Sequence, residues 1–199
     1  MTQRLNFSSG VLVAAVLATT SFTAVETRAE ALEVRNAKVS VICPMTVGGS
    51  FEAKTSAMSG QVAVEGDAPA SLAVALSVDL STLDSGIASR DHHMLESYLE
   101  VNKGENFKDA KLTGVTLTAA KLEGQVPFNA NFTVHGQTRP VFGTAKIHKG
   151  ASGYEVEASF PMKVSEFQIP KPTYLGVGVK DEVKINVAFT AASKSEGSK

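Results

Sequence analysis

The feature that most restricts this chain is a two-residue alternation of apolar and polar side chains, recurring from residue 38 to the far end. Leu72, Val74, Leu76, Val78 and Leu80 are separated by Ala73, Ala75, Ser77 and Asp79. Successive side chains of an extended backbone point to opposite faces, so such a run buries one face and wets the other. The pattern returns at Phe128–Val134, at Tyr154–Met162 and at Val183–Phe189, and more weakly at Val39–Ile42, Phe51–Thr55, Val62–Glu65, Leu112–Thr118 and Val141–Ile147. Between Leu112 and Val115 the apolar parity slips at Gly114, which predicts a bulge. Eight or nine short antiparallel strands linked by glycine-rich turns suggest a sandwich or a closed barrel.

One stretch breaks the rhythm. Around Ser89–Leu99, Leu95, Tyr98 and Leu99 recur at helical spacing, which predicts a single short helix. Ser89 or Asp91 can cap it, with Glu96 and Glu100 on its wet side. The segment 191–199, rich in Ser, Lys and Gly, has no periodicity and reads as a disordered polar tail behind a domain spanning 30–190.

Composition excludes several function classes. Nineteen Lys and Arg against twenty Asp and Glu give a net charge of −1, and no basic block is present to follow a phosphate backbone, so nucleic acid is not an expected partner. The single cysteine, Cys43, rules out an intramolecular disulfide framework and a CxxC site; it reads as a small core residue. There is no G-x-S-x-G or H-E-x-x-H, and the four histidines do not cluster, so neither catalytic nor metal-ligating residues are assigned. An outer-membrane barrel is disfavoured by the absence of Trp and by polar outward positions such as Asn129, Asn131, Glu155 and Glu157.

Residues 1–29 read as a cleavable export signal: Arg4, an apolar stretch from Val11, then Thr27-Arg28-Ala29 before Glu30, with a second candidate cut after Ala31. The uninterrupted apolar core falls short of the roughly 20 residues that a spanning helix needs. The expected product is a soluble periplasmic domain.

Four blocks in order carry a resemblance. Arg90-Asp91-His92-His93-Met94 resembles the R-D-x-H motif of the YceI-like, lipocalin-like family, and Phe132–Val141 resembles its hydrophobic-T-hydrophobic-H-G-x-T-x-P-V hairpin. Ser165-Glu166-Phe167-Gln168-Ile169 and Gly176–Val183 are similar to its two later blocks. The resemblance implies an all-β, extended antiparallel eight-stranded lipocalin-like barrel with one short helix, located in the periplasm. It also implies a long apolar ligand, a polyisoprenoid or isoprenoid quinone, and no other cofactor. Transient contact with a membrane or a membrane protein is compatible with such cargo.

Side-chain sizes bear on capacity independently. If Gly136-Gln137-Thr138-Arg139 is a turn, Phe132 faces Gly143 and Ala130 faces Ala145; if His148–Gly153 is the next loop, Gly143 faces Ala158 and Ala145 faces Val156. Ala130, Gly143, Ala145 and Ala158 then form one patch of small side chains on the inner wall. Two fillings are open on pattern alone: a ligand cavity, or aromatic rings from elsewhere in a packed barrel acting as an interaction scaffold. The candidate ligand contacts are Phe128, Phe132, Val156, Phe160 and Met162 with that patch, and Leu95, Tyr98, Phe167 and Tyr174 around it. Arg90, Asp91 and His93 match the family motif and read either as headgroup contacts or, preferentially, as structure: Asp91 a helix cap, Arg90 paired with a carboxylate, His93 packed beneath the loop.

Overall fold

The computed structural model describes residues 30–65, 71–118, 122–151, 153–171, 173–174 and 177–193. The export signal read over 1–29 lies outside the described residues. The alternating runs form β1 (Glu30–Pro44), β2 (Ser50–Thr55), β3 (Met58–Glu65), β4 (Ser71–Asp79), β5 (Asp109–Leu117), β6 (Gly124–Val134), β7 (Gln137–Gly150), β8 (Gly153–Lys163), the short β9 (Thr173–Tyr174) and β10 (Val177–Gly178), and β11 (Glu182–Ser193).

Every pairing is antiparallel, and β11 returns to pair with β1 from Leu32↔Ser193 to Ile42↔Lys184, which closes the sheet. β2 and β3 both lie along β1 and share its register, Cys43↔Phe51 and Leu32↔Val62, so together they act as one interrupted wall strand. The result is a closed eight-stranded barrel, as the resemblance implies. Closure removes the sheet edges everywhere except along β2, which among the described strands pairs only with β1 and on its far side makes the isolated Lys54–Asp84 bridge. Near the middle of β1 the register shifts between Arg35 and Lys38, with Asn36 at φ +53°. That bulge exchanges the inward parity from Leu32 to Val39, both buried. The bulge expected at Gly114 is present: φ there is +60° and the β5–β6 register shifts between Thr113 and Thr116.

Two expectations need correction. The turn of the β6–β7 hairpin is His135-Gly136, with φ +53° and +72°, rather than the four residues 136–139. Consequently Phe132 opposes Arg139 and Phe128 opposes Gly143, while Ala130 opposes Val141. Across β7 and β8, Ala145 opposes Ala158 and Ile147 opposes Val156. Both offsets are even, so each side chain keeps its face while its neighbours change. The proposed four-residue patch therefore reduces to the Ala145–Ala158 pair. The second correction concerns the tail: β11 extends through Ser193, and Ala191 is 1% exposed. Residues 194–199 lie outside the described residues.

The two ends of the barrel differ. At one, β3, β5, β7 and β11 end and β1, β4, β6 and β8 begin; the other, the helical end, carries the β1–β2 turn, residues 80–108, the His135-Gly136 turn and the described residues between β8 and β11. Here α1 (Ala88–His93) runs directly into a π-helical turn over Met94–Tyr98, in which Leu99 N–H donates to the Met94 carbonyl at 2.9 Å. A further single turn, α2 (Glu105–Lys108), leads into β5.

Candidate functional site

The inward faces do not meet at the barrel axis. They enclose a cavity of about 720 Å3, within the range of sites that hold whole organic ligands. Its wall is aliphatic and aromatic, with residues such as Val41, Leu76, Phe132, Ile147 and Ile185 drawn from around the barrel. The described lining residues that are exposed, Gly48, Gly49, Ser50, His93 and Val177, all belong to the helical end. That end is the mouth.

Aromatic packing accounts for where the cavity stops. Phe132 meets Phe160 edge-on at 5.3 Å and Phe167 at 5.6 Å, and Phe128 meets Phe160 at 6.2 Å. A Cβ at Gly143 would stand 2.6 Å from Cζ of Phe128 and 2.5 Å from the Ser159 carbonyl oxygen. The glycine is thus required for close approach, and its volume is taken by the Phe128 ring. Ala145 differs: it is buried, lines the cavity and faces open volume across from Ala158.

The sequence candidates separate accordingly. Tyr98, Phe128, Phe132, Ala145, Val156, Ala158, Phe160 and Met162 line the cavity. Ala130 and Gly143 do not; they are wall packing. Phe167, 1% exposed, is core beneath Phe132. Leu95 packs on the core without reaching the cavity, because the wide π turn brings Met94, Tyr98 and Leu99 to the lumen instead. The side chain of Tyr174 lies outside the described residues.

The Arg90-Asp91-His92-His93 motif divides between two tasks. Asp91 does not cap α1, whose N-cap is Ile87; it sits in the first turn and accepts the Ser85 N–H at 2.9 Å, tying down the preceding loop. Hydrogen bonding from Ser85 holds its carboxyl below the ordinary range. Arg90 pairs with no carboxylate among the described residues; its guanidinium carbon lies 4.4 Å from the centroid of the Phe51 ring, and it lines the mouth. His93 is exposed on the same rim rather than packed under a loop. Cys43 lines the lumen, and burial pushes its thiol up to about 11, partly opposed by the charge of Arg90. It is consequently a protonated, apolar wall residue at neutral pH.

Sequence reasoning overlooked one polar cluster. His135, 7% exposed, has Nδ1 3.2 Å from the Phe167 carbonyl oxygen and Nε2 3.0 Å from Glu100 Oε2. Glu100 also accepts from Lys103 Nζ at 2.9 Å, and Phe107 meets the imidazole edge-on at 4.8 Å. Glu100 and His135 have φ of +50° and +53°, conformations costly for side chains of this size, and each is pinned by the other. Glu100 is therefore not on the wet face of a helix. The available signal was His135 immediately before Gly136 in a hairpin. Among the described residues there is no group of three or more His, Cys, Asp or Glu able to hold a metal. Nor is any described helix long and apolar enough to cross a membrane.

Comparison with known proteins agrees with this architecture. The family model described as YceI-like domain matches residues 18–191. The structure is similar to that of BcnA from Burkholderia cenocepacia, with a TM-score of 0.65 at 16% identity over 78% of this chain and 96% of that one. It is also similar to a polyisoprenoid binding domain from Saccharophagus degradans implicated in plant cell wall breakdown, with a TM-score of 0.62 at 12% identity over 84% and 100% of the chains. The YceI protein of Campylobacter jejuni gives 0.59 at 14% identity over 74% and 88%. No curated protein matches the sequence.

Proposed function

The chain belongs to the YceI-like family, and from that premise we propose that it is an exported, non-enzymatic carrier holding a long apolar chain, a polyisoprenoid, isoprenoid quinone or similar lipid, inside its barrel. The observation that carries this reading is the cavity of about 720 Å3, walled by hydrocarbon and open where α1 crosses the barrel end. A void of this size in a folded wall is costly, because its lining forgoes dispersion contacts. An apolar chain restores those contacts. At about 0.8 kcal/mol per buried CH2, each five-carbon unit contributes roughly 3–4 kcal/mol before entropic losses, so a few units suffice.

Export to the periplasm follows from the signal read over residues 1–29. Glu30 and Ala31 pair with Val64 and Ala63, which favours cleavage after Ala29 over cleavage after Ala31, since the latter removes the first rungs of β1. Val47, Ile87 and Val177 are large apolar side chains exposed at the helical end, Val177 on the cavity rim itself, where they support transient contact with a bilayer surface during loading.

The test is direct extraction. Protein purified from the periplasm without detergent is expected to yield a long-chain lipid to organic solvent, identified by mass spectrometry, with an N-terminus at Glu30. If every preparation is empty and delipidated protein takes up neither a polyprenol nor a quinone, the barrel is a scaffold and the carrier reading is wrong.

A further inference from the structure

Resting on the carrier reading, we infer that residues 85–99 are a lid that swings away from β2 to admit and release the cargo, with the stack of Arg90 on Phe51 as the clasp that holds it shut. Arg90, His93, Met94, Tyr98 and Leu99 line the lumen from this segment, so it forms part of the mouth. Its attachment sets it apart from its neighbours.

Among the described residues, no hydrogen bond or ion pair joins residues 85–99 to a barrel strand. The hydrogen bonds it makes are internal or to adjoining loop residues: Ser85 N–H to Asp91, Arg90 N–H to the Ile87 carbonyl at 2.9 Å, and Asn102 Nδ2 to Glu96 at 2.8 Å. The segments beside it are tied down. Thr46 N–H donates to the Gly178 carbonyl at 2.7 Å and Lys180 N–H to the Pro44 carbonyl at 2.8 Å, which pins residues 177–180 to the end of β1. Residues 100–107 are pinned to the β6–β7 turn through Glu100 with His135 and Asn106 with Gly136. A segment held by apolar packing and one stack opens at lower free energy than the hydrogen-bonded elements that flank it.

The seam runs along a bare strand edge. On the far side of β2, Lys54 exchanges both backbone hydrogen bonds with Asp84, at 2.8 and 2.9 Å. Past that bridge, residues 50–53 have no backbone partner on that side among the described residues. What spans the gap instead is the Arg90 guanidinium, its carbon 4.4 Å from the centroid of the Phe51 ring. Both side chains line the lumen, and at that separation no hydrocarbon chain passes between them. Arg90 also attracts the Asp91 carboxylate, but Asp91 belongs to the same segment, so that attraction travels with the lid.

Both ends of the segment supply a pivot. Gly86 has φ +78° and no atom within 4 Å of where a Cβ would stand, so a glycine is needed there for the backbone and not for packing. Glu100, at φ +50°, ends the lid just after the π turn over Met94–Tyr98. Changes confined to two such positions move the intervening helix as one body.

The experiment follows two rates. All-trans-retinol, an uncharged isoprenoid polyene, is mixed with delipidated protein, and its fluorescence gives the rates of uptake and release and, from their ratio, Kd. In Arg90→Met the clasp is absent, and both rates should rise by about threefold with Kd within about twofold of wild type. In Cys43→Ser carrying Phe51→Cys and Arg90→Cys, bridging the two introduced thiols with a two-carbon bis-methanethiosulfonate should slow both rates by about tenfold or more, and reductant should restore them. A gate changes the two rates together, whereas a ligand contact changes Kd. Unchanged rates in Arg90→Met, a change confined to Kd, or a bridged protein that exchanges as fast as its reduced form each overturn the lid assignment and leave the carrier reading standing. Retinol bound by no form of the protein overturns both.

Discussion

Two histidine-containing clusters sit at the same end of this barrel. In the latch of Glu100, Lys103, Phe107 and His135, both imidazole nitrogens face oxygen acceptors and the carboxylate has two donors. In the rim of Arg90, His93 and Ser50, the guanidinium has a ring on one face and, among the described residues, no ion pair. The latch lies behind the wall and joins the β6–β7 turn to the loop entering β5, where Gly136 N–H also donates to the Asn106 carbonyl at 3.1 Å. The rim faces the lumen. Saturated buried polar groups hold a fold together, whereas exposed ones at a cavity rim are hydrated and contribute little to stability. Residue type alone does not distinguish them.

This comparison can be broken experimentally. The largest effect is expected for His135→Ala, which strips a buried ring from Phe107 and orphans the Phe167 carbonyl: a loss of about 1–3 kcal/mol, seen as a fall of several degrees in Tm, with lipid occupancy retained. The second test is acid. Lys103 first, and then His135, hold the Glu100 carboxyl below its ordinary range against the opposing effect of burial. A carboxyl with a depressed folded-state pKa contributes stability that is present above its unfolded value and lost as pH falls through the folded one. The gap in Tm between wild type and Glu100→Gln should therefore be full near pH 6 and close progressively below about pH 4.5. Asp91→Asn loosens the Ser85 loop and should lower Tm by less than half as much as His135→Ala, leaving chain length selectivity intact. Smallest of all in Tm is His93→Ala, an exposed rim position expected to melt with wild type. If His93→Ala instead melts as low as His135→Ala, the division between latch and rim is wrong.

The barrel was legible in the alternation, because closing a sheet buries one face of every strand and that face must be written at period two. The bulge at Gly114 was legible for the same reason: parity slipped. Register was not. A His-Gly turn lacks the Asn-Gly or Asp-Gly signature of a two-residue hairpin, although His135 and Gly136 adopt the positive φ angles such a turn demands. The resulting displacement moved Gly143 from Phe132 to Phe128. Because the slip was even, the inward residues stayed inward, and the seven strand candidates Phe128, Phe132, Ala145, Val156, Ala158, Phe160 and Met162 still reached the lumen. Arg90 and His93 were visible as a motif, but their direction was not. A helix places residues around its circumference, and the identity of the side chain opposite, Phe51 rather than a carboxylate, depends on contacts nearly forty positions away.

The central claim, that the lumen is open volume for a chain and not a packed core, is tested by two substitutions two residues apart on β7. Gly143→Ala drives a methyl group into the Phe128 ring and the Ser159 carbonyl and should destabilise delipidated protein by about 1–3 kcal/mol. Ala145→Trp points into the cavity opposite Ala158, so delipidated protein should fold with a Tm close to wild type while native mass spectrometry shows the long-chain adduct lost or shortened. The contrary result is an Ala145→Trp protein that melts far below delipidated wild type, as an overpacked core would, with neither protein ever retaining a chain.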